Sequence, residues 1–163
     1  MGFNNPSATK APRAREYAGR KTRRWAVAEK IRQVEYYYTT VPDEPGTASK
    51  VLSQLQQAGV NLVAYLAFPS EKSKSQIDLV PENVGALKEA AGKSGVRLTG
   101  PRKAFLVQGD DRVGAVAEVT RKLADAKINI TAAAATSAGG GRYGMIIWVA
   151  VGDQAKAAKA LGV

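Results

Sequence analysis

Two short stretches of this sequence place an acidic residue, a glycine and the start of an amphipathic helix within a few positions: Asp43 with Gly46, and Asp111 with Gly114. The unpaired N–H groups at the start of a helix suit a carboxylate, because glycine lets a ligand approach the backbone and the helix dipole favours negative charge. A nearby carboxylate such as Asp43 or Asp111, helped by an Asn amide oxygen, suits an ammonium. Asn61 and Asn129 follow the two helices and could supply that oxygen. Together these groups have the chemistry to hold a small zwitterion. Each also has a plain structural reading: an Asp before a helix is an N-cap, a Gly there a turn residue, and an Asn after a helix a tolerant turn former.

Other chemistry is thinly represented. The sequence has no Cys and no His, which removes disulfides, thiolate chemistry, zinc sites built on the usual ligands and the commonest general base. No pair of nucleophile and base stands out, and neither a metal nor a cofactor is called for. Gly139 to Gly144 fits G-x-G-x-x-G, but a dinucleotide motif follows a strand and opens a helix, and here a strand follows. The stretch reads as a hairpin loop. Gly92-Lys93-Ser94 resembles the end of a phosphate loop, yet position 87 is Leu rather than the required Gly, and the triplet ends a helix. Tyr36 and Tyr38 share one strand face and could stack bases, but no basic residues interleave them, so packing is the better reading.

The elements that must position the two loops repeat. Asp43, Gly46, Leu55, Ala58 and Asn61 recur as Asp111, Gly114, Leu123, Ala126 and Asn129, each pair 68 positions apart and without a gap. A period longer than the roughly 20–50 residues of solenoid repeats reads as a duplicated small domain. In the first copy Val34 to Val41 is a strand, Thr47 to Ala58 a helix, and Leu62 to Phe68 with Ser75 to Val80 a hairpin. Pro81-Glu82-Asn83 opens a second helix, stopped between Gly92 and Gly95, before a short strand from Val96 to Thr99. The second copy repeats the order as strand 103–108, helix 113–126, hairpin strands 130–137 and 143–151, and helix 154–161. Ala132 to Ala135 would favour a helix by propensity, and only the repeat register puts it in a strand. The fold class is therefore α+β: two ferredoxin-like β-α-β-β-α-β units, each an antiparallel sheet with helices on one face. The last strand of the second unit is missing, leaving an edge that invites pairing in cis or with another chain.

The division that follows is a basic arm over 1–33, a first domain over 34–100 and a second over 101–163. The net charge is +10, of which the arm carries +7: nine Lys and Arg against Glu16 and Glu29. Such an arm, chiefly residues 10–32, could grip phosphate backbones or anionic headgroups, or serve as a solvated leader or docking helix. No apolar run reaches the ~18 residues of a membrane span and no signal-peptide stretch is present, so the cytoplasm is the default location.

Asp43-Glu44-Pro45-Gly46, a helix with Leu55, then Gly59-Val60-Asn61-Leu62 resembles the hallmark of the ACT-domain family, and Asp111-Arg112-Val113-Gly114 with Leu123 and Ile128-Asn129-Ile130 is similar. The resemblance spans about residues 34–163. It implies a non-catalytic sensor of amino acids or small metabolites whose domains pair side by side, with ligands held at the interface by the first strand-to-helix loop. The positions so implied are Asp43, Glu44, Pro45, Gly46 and Thr47 in the first copy and Asp111, Arg112, Val113, Gly114 and Ala115 in the second, with Asn61 and Asn129. Because Arg112 replaces Glu44 and Val113 replaces Pro45, the two loops are not equivalent. The partners expected are an amino-acid-like small molecule, and another copy of the chain or a regulated protein. Two rival readings are a nucleic-acid-associated regulator acting through the arm, and a ligand-free oligomerisation module.

Overall fold

A computed structural model describes residues 29–163. Its elements follow the order β1 (Lys30–Pro42), α1 (Thr47–Gln57), β2 (Leu62–Glu71), β3 (Lys74–Pro81), α2 (Val84–Ser94), β4 (Thr99–Asp110), α3 (Ala115–Asp125), β5 (Ile130–Gly139), β6 (Arg142–Val149) and α4 (Gln154–Leu161), with a 3-10 turn at Val151–Asp153. The helices start and stop where local chemistry dictates. Gly46 and Gly114 both take φ 88°, a left-handed conformation that a side chain resists, and so turn the chain sharply into α1 and α3. Asn83 caps α2 by accepting from the Ala86 N–H at 3.1 Å, and Gly95 at φ 71° ends it.

All six strands join one antiparallel sheet in the order β2-β3-β1-β4-β6-β5. Two long strands at its centre belong to both copies. The C-terminal half of β1 pairs with β3 from Tyr37↔Leu79 to Pro42↔Lys74, whereas its N-terminal half pairs with β4 from Lys30↔Gln108 to Tyr36↔Arg102. The N-terminal half of β1 therefore fills the place of the strand that the second copy lacks. The incomplete edge expected from the sequence is closed in cis, and Lys30 and Arg32, assigned above to the arm, lie in this strand. The rest of the arm, with its phosphate-binding reading, lies outside the described residues.

The separate short strand expected at Val96–Thr99 does not form over Val96–Leu98; Thr99 instead opens β4, which runs on through the strand expected at Lys103–Gln108. Gly100-Pro101 looks like a break between them. The strand crosses it through a register irregularity in which Tyr36 and Tyr38 oppose Arg102 and Thr99. Gly100 is required here: at φ 145°, a Cβ would stand 2.8 Å from the Tyr37 ring and 3.0 Å from the Tyr36 carbonyl oxygen.

Alternation along the strands sorts the side chains into three clusters. One face of the sheet carries the helices: Tyr37, Leu55, Ile77, Leu79 and Leu87 pack under α1 and α2, while Phe105, Val107, Val119, Leu123, Ile147 and Leu161 pack under α3 and α4. The other face carries Tyr36, Val80, Ala104, Leu106, Ile146 and Trp148, with Val34, Val63, Ala64 and Leu66 against them. Residues of β2 and β3 thus meet residues of β6 although other strands separate them in the sheet, so the sheet curls and its two halves face each other across this middle cluster. Burial on both faces explains why β6 reads as an unbroken apolar run, Met145 to Val149, rather than an alternation.

The copies are thus joined side by side through β1 and β4. The strands next to the two loops, β2 and β5, form the outer edges and are largely exposed.

Candidate functional site

Each loop of interest is tied to the hairpin of its own copy. The Asp43 N–H donates to the Ser73 carbonyl at 3.0 Å, and the Ser75 hydroxyl donates to Asp43 Oδ1 at 2.7 Å. In the second copy the Asp111 N–H donates to the Gly141 carbonyl at 2.8 Å, and the Ser137 hydroxyl donates to Asp111 Oδ2 at 2.7 Å. Neither Asp caps its helix; Gly46 and Gly114 hold the cap position without a side-chain bond. A Cβ at either glycine would meet nothing within 4 Å, so the space above both helix starts is open.

The loops differ in charge arrangement. Arg112 grips Glu118, in the first turn of α3, with both arms of its guanidinium; the Nη1–Oε1 bond is 2.6 Å and the second joins Nη2 to Oε2. These bonds hold the Glu118 carboxyl below the usual carboxylate range. Sixty-eight positions earlier the same pair is reversed, with Glu44 for Arg112 and Lys50 for Glu118. No ion pair joins Glu44 to Lys50 among the described residues, and α1 has no acid in its first turn.

Beside the second loop lies a cavity of about 160 Å³. Asp111, Arg112, Ala115 and Val116 line one side, and Ala135, Thr136 and Ser137 of the edge strand β5 the other, with Tyr143 from β6 between them. The Tyr143 hydroxyl donates to Glu29 Oε1 at 2.5 Å, and Lys122 stands 3.6 Å from the other Glu29 oxygen. Burial first, then Glu29, pushes the phenol above its ordinary range, so it stays a donor. Val113 points into solvent, 95% exposed.

The Asn residues stand elsewhere. Asn61 stands just before β2 at the far end of α1, where its side-chain amide donates to Glu82 Oε2 at 2.9 Å and its backbone carbonyl accepts from the Glu82 N–H. Asn129 holds the equivalent place beyond α3 and is exposed. An eleven-residue helix, about 16 Å long, separates each Asn from the loop of its own copy. Within one copy, loop and Asn are not brought together. Sequence reasoning missed Glu118, Thr136, Ser137 and Tyr143. The reversed Glu44/Lys50 and Arg112/Glu118 pairs were a visible signal for the first of these; the others reach the loop only through strand pairing.

The other motifs fall as expected. Gly139, Gly140 and Gly141, all at positive φ, make the β5–β6 hairpin loop, and Gly92-Lys93-Ser94 ends α2. Tyr36 packs edge-on against Trp148 in the middle cluster, and Arg102 lies over the Tyr38 ring at 4.7 Å. Among the described residues no group of three or more acidic residues is placed to hold a metal ion, and no helix is long and apolar enough to cross a membrane.

A family model for the ACT domain matches residues 104–163. No curated protein matches the chain. Among solved structures, a protein of Bacteroides thetaiotaomicron is similar in fold, with a TM-score of 0.66 at 12% identity over 79% of this chain and 88% of that one. The regulatory subunit of aspartate kinase from Thermus thermophilus, in its ligand-free form, gives 0.55 at 19% identity over 84% and 96%. That of Thermus flavus gives 0.53 at 21% over 84% and 95%. Residues 104–163 thus match the ACT-domain model, within a chain whose overall fold is similar to that of these regulatory subunits.

Proposed function

We propose that this chain is a non-catalytic regulatory module, a tandem of two ACT-type copies, that binds an amino acid or a related small metabolite. The observation that carries this reading is the cavity beside the second loop, where a helix start, an Arg and an Asp converge on an open strand edge. A ligand carboxylate takes Arg112 in place of Glu118 and meets the positive end of α3 at the N–H groups of Val116 and Ala117. The ammonium takes the Asp111 oxygen that Ser137 leaves free. Asp43, Glu44, Pro45, Gly46 and Thr47 form a second, unequal site in which Lys50 is the cation.

The open edges supply the remaining residues. Each edge strand runs from its Asn, Asn61 or Asn129, toward the loop end of its own copy. Antiparallel pairing of such an edge with that of a second chain sets the Asn end of one strand beside the loop end of the other. Asn61 and Asn129 would then complete sites across the interface, and ligand binding would favour one pairing geometry and change how a regulated partner docks. The ACT match over the second copy and the fold shared with aspartate kinase regulatory subunits support this reading.

The test is calorimetric titration of amino acids into the protein and two variants. Arg112→Ala is expected to weaken binding about tenfold or more by removing a charge-assisted fork, while Glu118→Gln, which frees Arg112, is expected to strengthen it. Undiminished binding to a folded Arg112→Ala chain would remove the second loop from the site.

A further inference from the structure

On the sheet face away from the helices, a second and larger cavity of about 420 Å³ opens between β2, β3 and β1 on one side and β5 and β6 on the other. None of the loop residues discussed above lines it. Its walls are Tyr36, Leu66, Phe68 and Trp148, with Gln76 and Asp78 set among them and Thr131 to Ala133 opposite.

Asp78 has no ordinary reason to be there. The residue is only 4% exposed, and among the described residues its side chain accepts one hydrogen bond, from the Gln76 amide at 2.7 Å. No cation lies within 4 Å of it among the described residues. Arg102, whose charge acts on it from a distance, lies over the Tyr38 ring and reaches its hydroxyl at 3.4 Å. A buried carboxylate without a cationic partner costs free energy, and burial pushes this carboxyl above the usual range. In the same walls the buried indole N–H of Trp148 has no acceptor among the described residues. The Tyr36 and Trp148 rings meet edge to face at 6.0 Å, and Phe68, 42% exposed, stands at the mouth.

We propose that this cavity is a binding site for a small organic ammonium with an apolar body, its cation on Asp78 and its body against Tyr36, Phe68 and Trp148. An ammonium supplies the charge that Asp78 lacks, and the aromatic faces attract it further. A ligand that also carries a hydrogen-bond acceptor satisfies the Trp148 N–H. The site is separate from the amino-acid loop and does not depend on it.

Phenethylamine and its uncharged counterpart 2-phenylethanol are titrated calorimetrically into the full chain, into Asp78→Asn and into Arg112→Ala. Phenethylamine is expected to bind the wild type about tenfold or more tighter than the alcohol, to lose that advantage in Asp78→Asn, and to bind Arg112→Ala unchanged. Equal affinity for amine and alcohol, or no amine binding at millimolar concentration, overturns the proposal. So does a cavity closed by a second copy, seen as a dimer in sedimentation that excludes the amine. If Asp78→Asn does not fold, the amine–alcohol comparison on the wild type decides alone. Loss of amino-acid binding in Arg112→Ala with amine binding intact separates this site from the loop.

Discussion

At the scale of single residues, the structure assigns costs that can be measured. Asp78 is a carboxyl whose pKa the fold raises, since burial outweighs the help of Gln76 and Arg102. With its folded pKa raised, the folded state holds the proton more tightly than the unfolded chain, so this group's contribution to stability is lost as pH rises from the unfolded carboxylate range, near 3.9, through the folded value. Asp78→Asn is therefore expected to raise stability in denaturant at pH 7, with the gap shrinking toward pH 4; a gap that widens on acidification would contradict the burial argument. Gly100→Ala combines a left-handed backbone with a 2.8 Å approach to Tyr37 and is expected to cost roughly 2–4 kcal/mol in chemical unfolding. Residues of this kind were the least legible in the sequence. Asp78 sits in a polar-apolar alternation, Gln76 to Leu79, that reads as an ordinary strand, and only the folding of one half of the sheet over the other reveals that its polar face is buried. The charge reversal between Glu44/Lys50 and Arg112/Glu118, by contrast, lay in plain view at the repeat spacing.

At the scale of elements, the repeat register did most of the work. It placed Ala132 to Ala135 in β5 against their helical propensity, and pairing with Trp148, Ile147, Ile146 and Met145 of β6 is what overrides that propensity. It did not foresee shared strands, because a strand's partner is a tertiary choice and the two halves of β1 look alike in pattern. Ile31 packs against the core of the second copy, more than 70 positions from its nearest core neighbours, and the whole stretch Lys30–Tyr36 pairs with β4. A chain beginning at Val34 is thus expected to expose the edge of β4 and to lose protection from hydrogen exchange at Phe105 and Val107, while α1 and α2 keep theirs. Retained protection at Phe105 and Val107 would mean that the N-terminal half of β1 is dispensable. In the same core Leu123→Ala, at a fully buried position, is expected to cost about 2–5 kcal/mol.

For the whole molecule, two copies that share β1 and β4 and bury a common cluster between the halves of the sheet cannot come apart one at a time. One cooperative unfolding transition is expected in scanning calorimetry, and two resolved transitions would show that the copies are independent. Under the proposed function, a ligand at the edge of one copy would act on a sheet whose central strands, β1 and β4, pair with strands of both copies. The measurement that bears most directly on the function is the unfolding midpoint of the full chain in the presence of each of the twenty amino acids. A ligand that binds only the folded state raises the midpoint with its concentration, by roughly 5–10 °C at a hundredfold excess over Kd for a chain of this size. The expected result is such a rise for one chemical class of amino acid, abolished by Arg112→Ala; midpoints that stay unchanged for all twenty at millimolar concentration would contradict the assignment of the loops as an amino-acid site.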